Sequence, residues 1–276
     1  MDRRLTPATD RVAHVSLRGK IDRPRFAEGE ALRVSVPLAD LLRAPSGARE
    51  RQLWLGERFT VIDRDQGHAF GFADKDGYCG WLPESALADG PTPTHWVASP
   101  GTHLYPEPRS ASPELAALPT GAGLAVLGRV DKWAETTQGF VPFRHLRPVG
   151  DFLSDPVAVA EGYRGTPYLW GGNSRAGLDC SGLVQLAFHC CGVALPGDAD
   201  LIETAGRAIA PDEAMAGDLV FWQGHVAILT GPDRIVHANG FTMSVAYEGL
   251  AAAVERIRAQ GEGEVLGWRR VMGQGV

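Results

Sequence analysis

The chain has 276 residues, is 44% hydrophobic and carries a formal net charge of -6. That length accommodates two or three domains, each with its own core. The acidic balance and the lack of a basic run exclude nucleic acid as an expected partner, and no apolar run reaches the length of a membrane span, so no membrane partner is expected either.

Residues 1–30 read as an N-terminal extension. Arg3 and Arg4 are followed by no apolar segment, and Arg18, Lys20, Asp22, Arg23 and Arg25 break up what comes next. A secretory leader needs an unbroken apolar stretch of about 7–15 residues. A cytoplasmic location is therefore expected, with export by another route left open.

Residues 31–89 alternate apolar and polar side chains in short runs: Leu32-Arg33-Val34-Ser35-Val36, Arg58-Phe59-Thr60-Val61-Ile62, Ala69-Phe70-Gly71-Phe72 and Tyr78-Cys79-Gly80-Trp81-Leu82. Period-two patterning with Asp76-Gly77 as a turn predicts strands. A similar order of features returns over 90–150, in Thr94-His95-Trp96-Val97, Leu124-Ala125-Val126-Leu127, Trp133-Ala134-Glu135-Thr136 and Gly139-Phe140-Val141-Pro142. The two stretches read as diverged small β-barrels, joined by Asp89-Gly90-Pro91-Thr92-Pro93.

The third region, 151–276, opens with a helix capped by Asp155 with Pro156 at its first position. An apolar helix from about Leu183 to Cys191 and a short one over Asp200 to Ala205 follow. Strands are expected at Asp218–Trp222, His225–Thr230, Arg234–Ala238 and Leu266–Arg270, an α+β layout.

Of the four cysteines, Cys190 and Cys191 read as buried core residues near a helix end and Cys79 as a structural strand residue. A disulfide framework does not suit a cytoplasmic chain of this size, and the spacings do not match a metal site. Cys180 differs. It follows the glycine-rich Tyr168-Leu169-Trp170-Gly171-Gly172 and starts the apolar helix, with Asp179 before it as a side-chain cap. A thiol at a helix N-terminus sees the positive end of the macrodipole, which favours thiolate, and its own backbone N–H is a candidate oxyanion donor. His225 and His237 lie in strand-like sequence on either side of the Gly231-Pro232-Asp233 turn, which suits neighbouring strands with both rings on one side. His237 would then orient His225, and His225 would take the thiol proton. Nothing in their surroundings marks His14, His68, His95, His103, His145 or His189.

The segments Pro-Tyr-x-Trp-Gly-Gly, Asp-Cys-Ser-Gly-Leu-Val, Leu-Pro-Gly-Asp-Ala, Gly-Asp-Leu-Val-Phe-Trp, Gly-His-Val-Ala-Ile and Val-His-Ala together resemble the NlpC/P60 family of cell-wall cysteine peptidases, over about 155 to 272. The two leading regions look like bacterial SH3-like modules. The resemblance implies a multidomain chain, two SH3-like β-barrels followed by an α+β papain-like peptidase domain. It implies Cys180 as nucleophile, His225 as general base and acid, His237 as orienting residue and Tyr168 as oxyanion donor. It further implies hydrolysis of the γ-D-glutamyl–L-diamino acid bond, with diaminopimelate as the diamino acid, in murein peptides with a free N-terminal L-alanine. No cofactor or metal is implied, and the oligomeric expectation is a monomer or weak homo-oligomer. Asp198, Ser181, Asp179, Glu57, Tyr78 and Trp170 form the implied substrate-binding set. Gly197 departs from the pattern, since arginine is commoner there. An amidase or transpeptidase acting on a related cell-wall amide, or a non-catalytic cell-wall peptide-binding protein, are the other readings.

Overall fold

The computed structural model describes residues 1–271. The chain divides into two compact units, Met1–Asp151 and a second from Phe152 onward. Among the described residues no helix is long and apolar enough to cross a membrane.

In the first unit, the alternating segments form a seven-stranded antiparallel sheet. Its spatial order is Arg49–Trp54, Leu38–Leu42, Cys79–Pro83, His68–Ala73, Arg58–Asp65, Glu30–Val34 and Leu87–Ala88. A register shift between Val61 and Asp63 bends the longest strand, as bulges do in strongly curled sheets. It also places Ile62 in a cluster with Phe70, Cys79 and Trp81. The first 30 residues are more than an appendage to this sheet. Val12–His14 pairs in parallel with Arg25–Ala27, Val12 and Ala13 are fully buried, and Arg11 Nη2 reaches Asp63 Oδ2 at 3.0 Å.

Residues 95–148 build a second β layer from two three-stranded sheets and the hairpin Thr102–Leu104/Ala116–Leu118. Its core gathers Val97, Leu104, Leu118, Leu124, Val141 and Leu146, together with Leu55 from the preceding sheet. The Gly123 N–H also donates to the Leu55 carbonyl at 2.7 Å. That shared core explains why the two β regions cluster as one unit. The sequence alone had offered only a Pro-Gly break between them.

Among the described residues, the second unit sets four helices against a six-stranded sheet. Helix α1 (Pro156–Glu161) starts as its sequence requires: Asp155 Oδ1 accepts the N–H groups of Val157 and Ala158 at 2.9 and 3.1 Å. Helix α2 (Cys180–Cys190) is buried on nearly every side, as expected of a helix apolar all round. Helices α3 (Ala199–Ile202) and α4 (Leu250–Ala259) complete the set. The sheet runs Arg207–Ala208, Gly267–Arg270, Leu219–Trp222, His225–Gly231, Arg234–Asn239, Ser244–Gly249. Ala253 and Ile257 of α4 join Val220, Trp222, Ala227, Leu229 and Ile235 in one core. Asp218, just before the Leu219 strand, is 2% exposed and bidentate with Arg270 at 2.8 and 2.7 Å. That pair adds a side-chain link between the neighbouring Gly267–Arg270 and Leu219–Trp222 strands.

Candidate active site

The site begins with a carboxylate. Asp179 Oδ1 accepts the Gly182 N–H at 2.6 Å and the Ser181 hydroxyl at 3.1 Å, and Oδ2 accepts the Gly171 N–H at 2.7 Å. One side chain thus caps α2 and clamps the Trp170-Gly171-Gly172 turn against it. Gly182 is glycine because a Cβ there would lie 2.3 Å from the Gly172 carbonyl oxygen. The two glycine-bearing motifs interlock, and their junction puts Cys180 at the first position of α2. The resemblance implied substrate contact for Asp179; its carboxylate holds the local backbone together. Its oxygens accept from Gly171 and Gly182, and Ser181 turns its hydroxyl onto the same carboxylate.

Cys180 lines a cleft of about 390 Å³ with Tyr168, Gln223, Gly224, His225, Gly240 and Glu262. Its Sγ lies 3.8 Å from the Gly224 carbonyl oxygen, in the turn that leads into the His225 strand. The His225 strand is antiparallel to the His237 strand, and the two rings meet edge to face with Nε2 of His225 2.9 Å from Nδ1 of His237. Trp222 packs against the His225 ring at 5.7 Å between centroids. His225 Nδ1 is the ring nitrogen outside the histidine–histidine bond.

Behind His237 stand two residues that the sequence reasoning missed. His237 Nε2 lies 3.1 Å from Glu248 Oε2, close but bent away from a linear hydrogen bond. Arg256 in turn grips Glu248 with Nε to Oε1 at 2.9 Å and Nη2 to Oε2 at 2.8 Å. The available signal was register. Ala246 sits opposite His237 and Glu248 opposite Ile235, so alternation puts Glu248 diagonal to His237 on the same face.

Burial dominates the protonation states. It pushes the Cys180 thiol up to about 12, with the Asp179 carboxylate adding to the effect. Desolvation and the neighbouring anion thus act against the thiolate that the helix terminus favours. Desolvation first, and His237 second, bring His225 down to about 3; desolvation likewise brings His237 down to about 4, against the pull of Glu248. Glu248 is held below its usual range, chiefly by the hydrogen bonds from Arg256. The resting pair is thus a neutral thiol beside a neutral imidazole. Tyr168 is also pushed up, by burial and then by Cys180, and stays a hydroxyl donor.

Asp198 takes φ 64° and ψ 144°, a backbone region close to that reserved for glycine, and caps α3 without a side-chain bond to it. Strain of this kind costs about 1–3 kcal/mol and concentrates at functional positions. Trp170 is 68% exposed. In the first unit, Glu57 receives Lys75 Nζ on Oε1 at 2.6 Å, while its buried Oε2 has no partner. Burial raises the Glu57 carboxyl against the pull of Lys75. Tyr78 is 1% exposed with the Arg51 guanidinium 4.9 Å over its ring, the placement of an interior packing residue. Among the described residues no group of three or more His, Cys, Asp or Glu side chains is arranged to hold a metal ion.

The NlpC/P60 family profile matches residues 165–256 and the bacterial dipeptidyl-peptidase Sh3 domain profile matches 41–87. The bifunctional muramidase/DL-endopeptidase CwlT of Bacillus subtilis (strain 168) is 40% identical over 108 residues, 35% of this chain and 33% of that protein. A gamma-D-glutamyl-L-lysine dipeptidyl-peptidase of Bacillus cereus (strain ATCC 10987) is 27% identical over 237 residues, 71% of this chain and 69% of that protein. The chain spans a third or less of the length of the first curated relatives it matches. The crystal structure of an NlpC/P60 family protein from Bacillus cereus ATCC 10987 shares the fold, with a TM-score of 0.76 at 21% identity, covering 88% of this chain and 100% of that one. The chain carries an NlpC/P60 domain together with a bacterial SH3 domain.

Proposed function

We propose that the chain is a cysteine endopeptidase of murein peptides that hydrolyses the γ-D-glutamyl–L-diamino acid bond when the N-terminal L-alanine is free. The observation that carries this reading is Cys180 and His225 lining one cleft, with His225 held from behind by His237. His225 takes the thiol proton as Sγ attacks the γ-carbonyl carbon. The oxyanion meets the Cys180 N–H and the Tyr168 hydroxyl. The C–N bond breaks, the amine of the diamino acid leaves with the proton from His225, and a thioester remains. Water, deprotonated by His225, attacks the thioester and returns free Cys180 and the γ-carboxylate.

Removing two residues from a free N-terminus is dipeptidyl-peptidase chemistry, the activity in the Bacillus cereus relative's name. That requires a carboxylate for the α-ammonium. Asp198, held at a strained backbone conformation at the start of α3, is the candidate within the catalytic unit. In this reading residues 31–89 and 90–150 are both SH3-like barrels, 151–276 is the α+β papain-like catalytic domain, and the protein works in the cytoplasm as a monomer or weak homo-oligomer.

The test is to incubate the purified protein with L-Ala-γ-D-Glu-meso-diaminopimelate, with the lysine counterpart, and with the N-acetylated form of each. Mass spectrometry should detect L-Ala-D-Glu from the free peptides, little from the acetylated ones and none with Cys180→Ala. Absence of that dipeptide from both free substrates would sink the proposal. Transfer products or release of ammonia in its place would point to a transpeptidase or amidase.

A further inference from the structure

We propose that Glu248, gripped by Arg256, is a positioning residue that fixes the tautomers of His237 and His225 and so leaves the Nδ1 lone pair of His225 for the Cys180 thiol. The inference rests on the reading of Cys180 and His225 as nucleophile and base, and it concerns residues which that reading does not use.

The argument is one of donors and acceptors. A neutral imidazole has one N–H and one lone pair, and an ionised carboxylate only accepts. Arg256 places two N–H groups on Glu248 and lends a third to Gln260 Oε1 at 2.9 Å, while its guanidinium lies 4.8 Å over Phe241. So held, Glu248 is an anion with a fixed direction. His237 Nε2, 3.1 Å from Glu248 Oε2, must then carry the proton. His237 Nδ1 is left as a lone pair, and the 2.9 Å contact to His225 Nε2 is a hydrogen bond only if His225 donates. His225 Nδ1 follows as the unprotonated nitrogen. In the opposite arrangement, a lone pair on His237 Nε2 would face the carboxylate.

The other charged and titratable groups near the pair do not compete for this role. Tyr168 and Glu262 line the open cleft on the His225 side, Asp179 accepts from Gly171, Ser181 and Gly182, and Arg256 points at Glu248. When His225 becomes an imidazolium during attack, the chain behind it runs lone pair, N–H, carboxylate, an order that stabilises the new charge. The half-linear contact between His237 and Glu248 is expected to tighten at that moment, as catalytic hydrogen bonds commonly do. A bare surface ion pair between Glu248 and Arg256 would add little to stability, so a purely structural role predicts little effect on turnover.

The test uses the full chain with ¹⁵N-labelled histidine. Imidazole ¹⁵N shifts of the resting protein should report both His225 and His237 as the Nε2–H form. Glu248→Ala should mix the tautomers and lower kcat on the order of 10²-fold, the low end of what general acid–base participation contributes, with KM little changed. Glu248→Gln keeps an acceptor oxygen but sets its NH₂ against an Arg256 N–H, so it should recover part of the rate. Arg256→Met, which leaves the carboxylate in place but unheld, guards against a Glu248→Ala protein that does not fold, and should also mix the tautomers. A wild-type His225 protonated on Nδ1 overturns the inference, as does a folded Glu248→Ala variant with unchanged tautomers and kcat. A wild-type protein that showed both rings as Nε2–H yet cut no murein peptide would sink the proposed activity and leave the positioning standing.

Discussion

The neutral resting pair makes a prediction about chemical modification. The reactive species toward iodoacetamide is the thiolate, and burial moves the Cys180 thiol from 9.0 to about 12. That difference of three units leaves about 10³-fold less thiolate than an ordinary cysteine at any pH below both values. A more basic thiolate is also a better nucleophile, with a Brønsted slope of about 0.4–0.5, which returns about 15- to 30-fold. The net deficit is then about 30-fold or more. Cys180 is only 7% exposed, and restricted access slows the reaction equally at every pH, so the diagnostic quantity is the slope. Alkylation of Cys180, followed by peptide mass spectrometry, should rise about tenfold per pH unit through neutrality without levelling off. His225→Ala should leave that slope intact, because the ring is not an imidazolium at rest. A rate plateau between about pH 5 and pH 8, the window in which a thiolate–imidazolium pair would persist, would refute the reasoning.

Three further outcomes follow from the same geometry. Removing the Asp218 carboxylate by Asp218→Ala should lower unfolding free energy in urea by about 3 kcal/mol, the low end for breaking a buried pair because Arg270 keeps some solvent access. Gly182→Ala drives a Cβ onto the Gly172 carbonyl oxygen at 2.3 Å, an overpacking worth about 1–3 kcal/mol; thermal melts should show it, with kcat falling as Cys180 shifts. Finally, folded His225 and His237 titrate at about 3 and about 4, well below the ordinary 6.5. The unfolded chain therefore takes up protons first, and the stability present above pH 6.5 is lost as pH falls toward those values, at about 1.4 kcal/mol per unit for each ring. A His225→Asn, His237→Asn double variant should flatten this acid limb in urea titrations at stepped pH; an unchanged limb would assign the loss to other groups.

Local signals carried much of this fold because they are local in cause. Asp155-Pro156 and Asp179-Cys180 start helices through hydrogen bonds to neighbours two or three residues on, and alternation over residues 58–61 reflects one buried face until the bulge at Val61 and Asp63 interrupts it. Cys180, His225 and His237 stood out as nucleophile, turn-flanked ring and hairpin partner, and the first two line one cleft. What remained hidden depends on distant partners. Leu55 belongs to a core formed by residues 97–146, and no periodicity announces that. The upward push on the thiol was out of reach because a helix terminus can be read from sequence, whereas burial and the closeness of Asp179 cannot. Glu248 was missed since a diagonal cross-strand neighbour is visible only once the register is known.

These gaps bear on how the site works. A thiolate prepared in advance would react with any electrophile that reached it, whereas a neutral thiol beside a neutral imidazole gives up its proton only when attack on a carbonyl absorbs the charge. The drive must then come from the bound substrate and from donors already in place, the Cys180 N–H at the start of α2 and the Tyr168 hydroxyl. Selectivity follows from the same economy. In the proposed reading, a peptide whose ammonium is anchored by a carboxylate such as Asp198 would hold its γ-carbonyl against the thiol long enough for the proton to cross, and a peptide lacking that anchor would not. Recognition and activation are then one event, and that coupling requires His225 to present a lone pair on arrival, the condition that His237, Glu248 and Arg256 are arranged to meet.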